Sequence, residues 1–279
     1  MPAKHLASAL LFTAALSACT PDNGTQNAAS GSGDKTGSVK LLNVSYDVAR
    51  DLYKDFNPLF TAEYKKQHNG ADIAVQQSHG GSSKQALAVA NGLKADVVTM
   101  NQGSDIELLV KKGLVKADWQ KAFPNNAVPF TSTTVFLVRK GNPKQIKDWN
   151  DLTQDNLKIV IANPKVTGNG RYTFLGAYGY GLKANNNDDA KAREYVKKML
   201  SKVEVFENGG RAATTTFVQR NIGDVLITFE NEANLSAKQF GNGEFEIVYP
   251  KYSVRMDSPV AVVYKVADER GTRQAATEY

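Results

Sequence analysis

The chain of 279 residues has one cysteine, Cys19, and three histidines, His5, His68 and His79. A single cysteine excludes an intrachain disulfide and any cysteine-built metal site. No two histidines stand at metal-ligand spacing, so no zinc centre is expected. No Gly-Lys-Ser/Thr occurs, which excludes a P-loop. No Gly-x-Ser-x-Gly occurs either, which removes the nucleophile elbow of the common esterases. The formal charge is +6, yet lysine and arginine are scattered among acids with no block of one sign. That pattern describes a solvated surface and argues against a nucleic-acid partner. Past Cys19, no apolar run is long enough to cross a bilayer.

The amino terminus reads MPAKHLASALLFTAALSACT. Lys4 is a short basic region, and Leu6 to Leu16 is an apolar stretch too short to span a membrane. Residues 1–18 therefore read as a signal peptide. Leu16-Ser17-Ala18-Cys19 resembles the bacterial lipobox, in which the cysteine thiol is acylated. The expectation is an exported, periplasmic chain held to the membrane only through a lipid on Cys19. Residues 19–38, rich in Gly, Ser, Asn and Thr with little to bury, read as a flexible tether.

From Val39 the pattern changes, and with 42% hydrophobic residues overall the chain can build a real core. VKLLNVSY, ADIAVQQ and ADVVTM read as strands, and DVARDLYKDFNPLFTAEYKKQ and KQALAVANGL as helices between and after them. TVFLVRKG, LKIVIANP and VEVFE continue as strands, and YTFLGAYGYGL and AKAREYVKKMLS as helices. Asp148-Trp149-Asn150-Asp151-Leu152 reads as a capped helix start. Alternation of this kind predicts an α/β fold with parallel sheets, and such sheets bind ligands at the carboxyl ends of their strands. GDVLITFENEANLSAKQF echoes ADVVTMNQGSDIELLVKK. Two similar lobes follow: 39–129 as the first, 130–251 as the second, with 252–279 returning to the first.

Four strand-to-helix junctions stand out: Ser45 to Asp47, Ser78 to Ser83, Val166 to Arg171, and Asn208 to Arg211. Free backbone N–H groups at a helix start carry partial positive charge and suit an anion. Glycine lets the backbone come close, and serine or threonine adds a hydroxyl donor. HGGS at 79–82 is also the kind of turn that forms an oxyanion hole, so an esterase-like hydrolase is the remote alternative. His79 beside two glycines reads as a hydrogen bonder that supports this turn.

The phrases LLNVSYD, QSHGGSSKQA, LKADVVT, FLVRKGNPKQIKDWNDL, NPKVTGNGRYTFL, GGRAATTTF and IGDVLITFENEA resemble the sulfate/thiosulfate-binding proteins of bacterial ABC importers, in order, from Val39 to the end. The resemblance implies a type II periplasmic-binding-protein fold, with two α/β lobes closing on a buried oxyanion. It implies a receptor without catalysis, metal or cofactor, monomeric, delivering sulfate or thiosulfate to a permease and its ATPase. Carried onto matching positions, the ligand donors would be the N–H groups of Asp47 and Ser82, the Thr167 hydroxyl, and the N–H groups of Gly168, Asn169 and Gly210. Arg171, Arg211 and His79 would orient or polarise those peptides, with the Asp47 carboxyl turned away. A receptor for another tetrahedral oxyanion, molybdate or phosphate, is the alternative within the same class.

Two departures from the family accompany the resemblance. Where the sulfate branch has a tryptophan that donates to the anion, this chain has Phe229, and several phrases stand closer to the thiosulfate branch. Both anions therefore stay open. The chain also ends at GTRQAATEY, inside an apparent helix where family members continue. The expectation is a fold whose C-terminal part is missing.

Overall fold

A computed structural model describes residues 38–240 and 243–279. The expected signal peptide, the lipidated Cys19 and the tether up to residue 37 lie outside the described residues. The remaining chain begins with β1 (Val39–Tyr46), a single 3-10 turn at Asp47–Ala49, and α1 (Arg50–Gln67). Then come β2 (Ile73–Gly80), α2 (Ser82–Ala90), β3 (Val97–Thr99), α3 (Gly103–Lys111) and the short turn α4 (Pro124–Ala127). The second series is β4 (Phe130–Arg139), β5 (Ile159–Ala162), α5 (Gly168–Ala184), α6 (Asp189–Leu200), β6 (Val203–Glu207), α7 (Gly210–Val218), β7 (Val225–Phe229), α8 (Glu230–Phe240) and β8 (Phe245–Val248). β9 (Arg255–Ser258), β10 (Val260–Val262), α9 (Tyr264–Glu269) and α10 (Arg273–Glu278) end the chain.

The strands form two sheets, ordered β10-β3-β1-β2 and β6-β5-β7-β4-β8. In the first, β1 runs parallel to both β2 and β3, and β10 closes the edge antiparallel to β3. In the second, β5 is parallel to β6 and β7, while β4 runs antiparallel to β7 and β8. Central strands covered on both faces read as continuous apolar runs. Val225 to Phe229 and Ile159 to Ala162 are accordingly buried throughout. The chain crosses between the sheets on β4 and β9, an antiparallel pair from Phe130↔Ser258 to Thr133↔Arg255.

The echo noticed in the sequence is an equivalence in space. β1 and β3 pair at Asn43↔Val97, and β5 and β7 pair at Ile159↔Val225. The aspartate before each pair does the same thing. Asp96 Oδ2 accepts from the Leu42 N–H at 2.7 Å, and Asp224 Oδ2 accepts from the Lys158 N–H at 2.9 Å. Each aspartate also donates its own N–H to the carbonyl of that same residue, at 2.9 and 2.7 Å. The surroundings differ. Asp96 is fully buried and also accepts from Arg270 Nη1 and Thr272 Oγ1, which ties the last two helices to the first sheet. Asp224 is partly exposed, with Lys144 Nζ at 3.8 Å.

Two local expectations are corrected. The turn read at Ser78 to Ser83 shrinks to Gly81, because β1 offers ladder partners as far as Ser45↔His79 and Tyr46↔Gly80. The capped start at Asp148 makes only one turn of 3-10 helix, Trp149–Thr153. Asp148 accepts from the Trp149 N–H and Asp151 from the Asp148 N–H, a reciprocal box. Trp149 is then held inside the second core, donating its indole N–H to the Tyr252 carbonyl at 2.7 Å.

The contrast between the two aspartates is testable. Asp96→Ala should lower unfolding free energy by about 3 kcal/mol, since it strips a buried hydrogen-bonded charge from three partners. Asp224→Ala should cost about 1 kcal/mol or less at its wetter site. Urea midpoints of the two variants check this, and equal losses would refute it.

Candidate functional site

All four junctions singled out in the sequence meet between the two sheets. A Cβ on Gly81 would lie 2.9 Å from the Val166 carbonyl oxygen and 3.5 Å from that of Asn208. One on Gly210 would lie 3.0 Å from the Val48 side chain and 3.2 Å from Asn169 Nδ2. One on Gly209 would lie 2.5 Å from Asp47 Oδ2. Glycine is required here for close approach: any side chain would wedge the two sheets' helix starts apart.

The caps explain what these helix starts can do. α5 has a side-chain cap: Thr167 Oγ1 accepts from the Gly170 N–H at 3.0 Å and donates to the Asn163 carbonyl at 2.8 Å. α2 and α7 are capped by Gly81 and Gly209 without a side-chain bond. A capping side chain serves the second or third amide of a helix, as Thr167 serves Gly170, so the first amides of α2 and α7, those of Ser82 and Gly210, stay free. Among the described residues, the N–H groups of Ser82, Gly168, Asn169 and Gly210 find no protein acceptor. All four residues are buried. Three helix starts thus aim unmatched donors at one place, which suits an anion.

The Asp47 carboxyl does not turn away as expected. It reaches across to α7, where Oδ2 accepts from the Arg211 N–H at 2.9 Å. Burial raises its pKa, opposed by that bond and by the Arg211 charge. The physical reason is the helix start itself, whose positive end attracts the carboxylate beside it. Phe229 is buried, with its ring edge-on to Tyr172 at 5.6 Å and packed with Tyr46 and Val48. It brings an aromatic carbon wall and no N–H.

The charged residues stand behind the amides. Arg171 Nη1 donates to Ser83 Oγ and lies 3.7 Å from Asp105 Oδ1. Asp105, on α3, accepts from Ser82 Oγ at 2.6 Å and from Ser83 Oγ at 2.9 Å, so the hydroxyls of Ser82 and Ser83 are both taken. Arg211 pairs with Asp51 and lies 3.2 Å from Glu232 Oε2. His79 Nδ1 meets Ser45 Oγ at 2.7 Å, and burial, helped by Arg50, pushes its pKa down to about 4. It supports the turn as a neutral ring. Asn101, Asp105, Asp51 and Glu232 had no motif of their own in the sequence. An apolar groove of about 750 Å³ lies elsewhere, lined by Tyr53, Phe56, Phe130, Val260 and Tyr279 and by none of these cap glycines.

Glu232 yields a pH prediction. Its side chain is fully buried, and burial raises its pKa to about 7 despite Arg211. A carboxyl whose folded pKa exceeds its unfolded value holds extra protons in the folded state, so its contribution to stability falls as pH rises from about 4.5 to about 7. Glu232→Gln should therefore resist urea better than the parent at pH 8, with the gap closing by pH 4. A gap independent of pH would contradict this.

Comparison with known proteins agrees with the geometry. A model of the family described as bacterial extracellular solute-binding protein matches residues 43–279. The thiosulfate-binding protein of Pseudomonas aeruginosa is 57% identical over 240 residues, covering 86% of this chain and 72% of that protein. The sulfate-binding protein of Escherichia coli K12 is 48% identical over 241 residues, covering 86% and 73%. In structure, the sulfate-binding protein SubI of Mycobacterium tuberculosis H37Rv matches with a TM-score of 0.72 at 29% identity, covering 85% of this chain and 83% of that one. The chain belongs to the bacterial extracellular solute-binding protein family, beside the sulfate- and thiosulfate-binding proteins.

Proposed function

We propose that this protein is an extracytoplasmic receptor that captures sulfate or thiosulfate and hands it to a membrane permease driven by an ATPase. The observation that carries the reading is the convergence of unmatched amides at Ser82, Gly168, Asn169 and Gly210. The N–H of Asp47 joins them from the end of β1. The Thr167 hydroxyl completes the set by turning its proton from Asn163 to the anion. Residues 39–129 with 252–279 act as one lobe and residues 130–251 as the other. The protein works as a monomer and carries out no chemistry. A lipid on Cys19 keeps it at the membrane outside the cytoplasm.

The anion class follows from hydrogen-bond arithmetic. Sulfate and thiosulfate are fully ionised at neutral pH and only accept, so a pocket of donors satisfies them. Hydrogen phosphate keeps an O–H that needs an acceptor. Asp47, the carboxylate at this site, already holds the Arg211 N–H. Burying an O–H against donors alone is costly, which is how such a site rejects phosphate. Phe229, whose ring offers a soft carbon surface, favours the larger terminal sulfur of thiosulfate.

Calorimetric titration with sulfate, thiosulfate, molybdate and phosphate tests the proposal. Binding of at least one sulfur anion with phosphate weaker by about tenfold to a hundredfold is expected, since an unmatched buried O–H costs about 1–3 kcal/mol. No heat with either sulfur anion would sink the reading. Phe229→Trp adds an indole N–H and should tighten sulfate about tenfold, as one charge-assisted bond does. An unchanged sulfate Kd would show that the ring edge does not reach the anion.

A further inference from the structure

The β3–α3 junction holds a polar residue with no role so far. Asn101 is 2% exposed, and its own N–H donates to Ser82 Oγ at 3.2 Å. Its side-chain amide lies directly on Gly168, so closely that any Cβ there would overlap it. Gly168 opens α5, a helix of 17 residues with unmatched first amides. Among the described residues, Asn101 Oδ1 has no hydrogen-bond partner. A buried polar atom without a partner needs an explanation, and here it stands at the mouth of an anion-seeking helix.

The internal equivalence says what that position is. Asn101 lies five residues after Asp96, and Phe229 lies five residues after Asp224, with the two aspartates in matching register. Asn101 and Phe229 are therefore the same position in the two halves. Their placements are reciprocal. Phe229, from the second sheet, packs on Tyr46 and Val48, the turn after β1. Asn101, from the first sheet, packs on Gly168, the turn after β5. The fold presents one equivalent residue from each half to the opposite helix start. One is a carbon wall and the other a carboxamide.

We propose that the Asn101 side-chain amide is a ligand contact and a specificity determinant, donating from Nδ2 to the bound oxyanion at the start of α5. This rests on the receptor reading above. In the structure Oδ1 is the end nearer Gly168, and a half-turn of the amide puts Nδ2 there in its place. With the carbonyl end inward, a dianion has nothing to give it. With the NH2 end inward, the dianion accepts, and the burial of the group is repaid by a charge-assisted bond. Asn101 thus supplies, from the first half, the side-chain donor that Phe229 cannot supply from the second.

The test compares Asn101→Ala and the isosteric Asn101→Asp with the parent chain, by calorimetric titration of sulfate and thiosulfate and by thermal melting without anion. Asn101→Ala should weaken both anions about tenfold to a hundredfold, the effect of one lost bond to a charged group. Asn101→Asp should abolish binding of both, because a carboxylate would face the dianion. In a 15N-labelled parent, the Asn101 side-chain amide resonances should move on titration, a change that a purely structural residue would not show. If the parent binds but Asn101→Ala binds within twofold of it, or if Asn101→Asp still binds like the parent, the contact does not exist. A parent that binds neither anion instead overturns the receptor reading itself.

Discussion

The structure depends on a constraint that every helix meets: its first amides have no partner within the helix. A side-chain cap meets it only in part: in α5, Thr167 takes the Gly170 N–H and leaves those of Gly168 and Asn169 unmatched. In α2 and α7, behind the glycine caps Gly81 and Gly209, the first amides of Ser82 and Gly210 are likewise unmet at buried positions. Burial makes the deficit expensive, so the chain around it is arranged to bring three such starts to one point. The same glycines that withhold a cap also permit the close contact between sheets.

Around that centre the charged groups act at one remove. Asp105 draws the hydroxyls of Ser82 and Ser83 back toward α3, which leaves the amides to face forward. Arg171 links Asp105 and Ser83 from the opposite sheet. Arg211 sits among Asp51, Glu232 and the carboxylate of Asp47, so its charge is balanced within the protein. An incoming anion meets neutral dipoles and no free cation among these residues. Fixed amides can hold such an anion in a site sheltered from water with little reorganisation.

Much of this was legible in the sequence, for reasons that differ by element. β1 was read to its last residue because VKLLNVSY is both apolar and β-branched and is bounded by Asp47. The four junctions were legible because glycine and hydroxyl residues mark strand-to-helix turns. The extension of β2 through His79 was not, since it depends on which neighbour β1 provides. The direction of Asp47 was hidden for the same reason. A side chain's partner 164 positions away leaves no trace in local pattern. Asn101 was not singled out: the echo of ADVVTMNQ in GDVLITFEN was read only as a repeated strand, turn and helix, and the matching registers of β3 and β7 are what align Asn101 with Phe229.

The crossing between the sheets bears on how the molecule moves. β4 runs unbroken from its pairing with β9 into its pairings with β7 and β8. At the changeover, Thr133 Oγ1 donates to Ser253 Oγ at 2.8 Å, and Ser253 Oγ donates to the Thr134 carbonyl at 2.6 Å. A ribbon pinned in this way would bend as a leaf spring does, along its length and with its ladder intact. Parting the two sheets would break the contacts at Gly81, Gly168 and Gly210. Stiffness and grip are thereby separable: substitutions at the ribbon would tune how fast the halves swing, and those at the helix starts how long they stay shut.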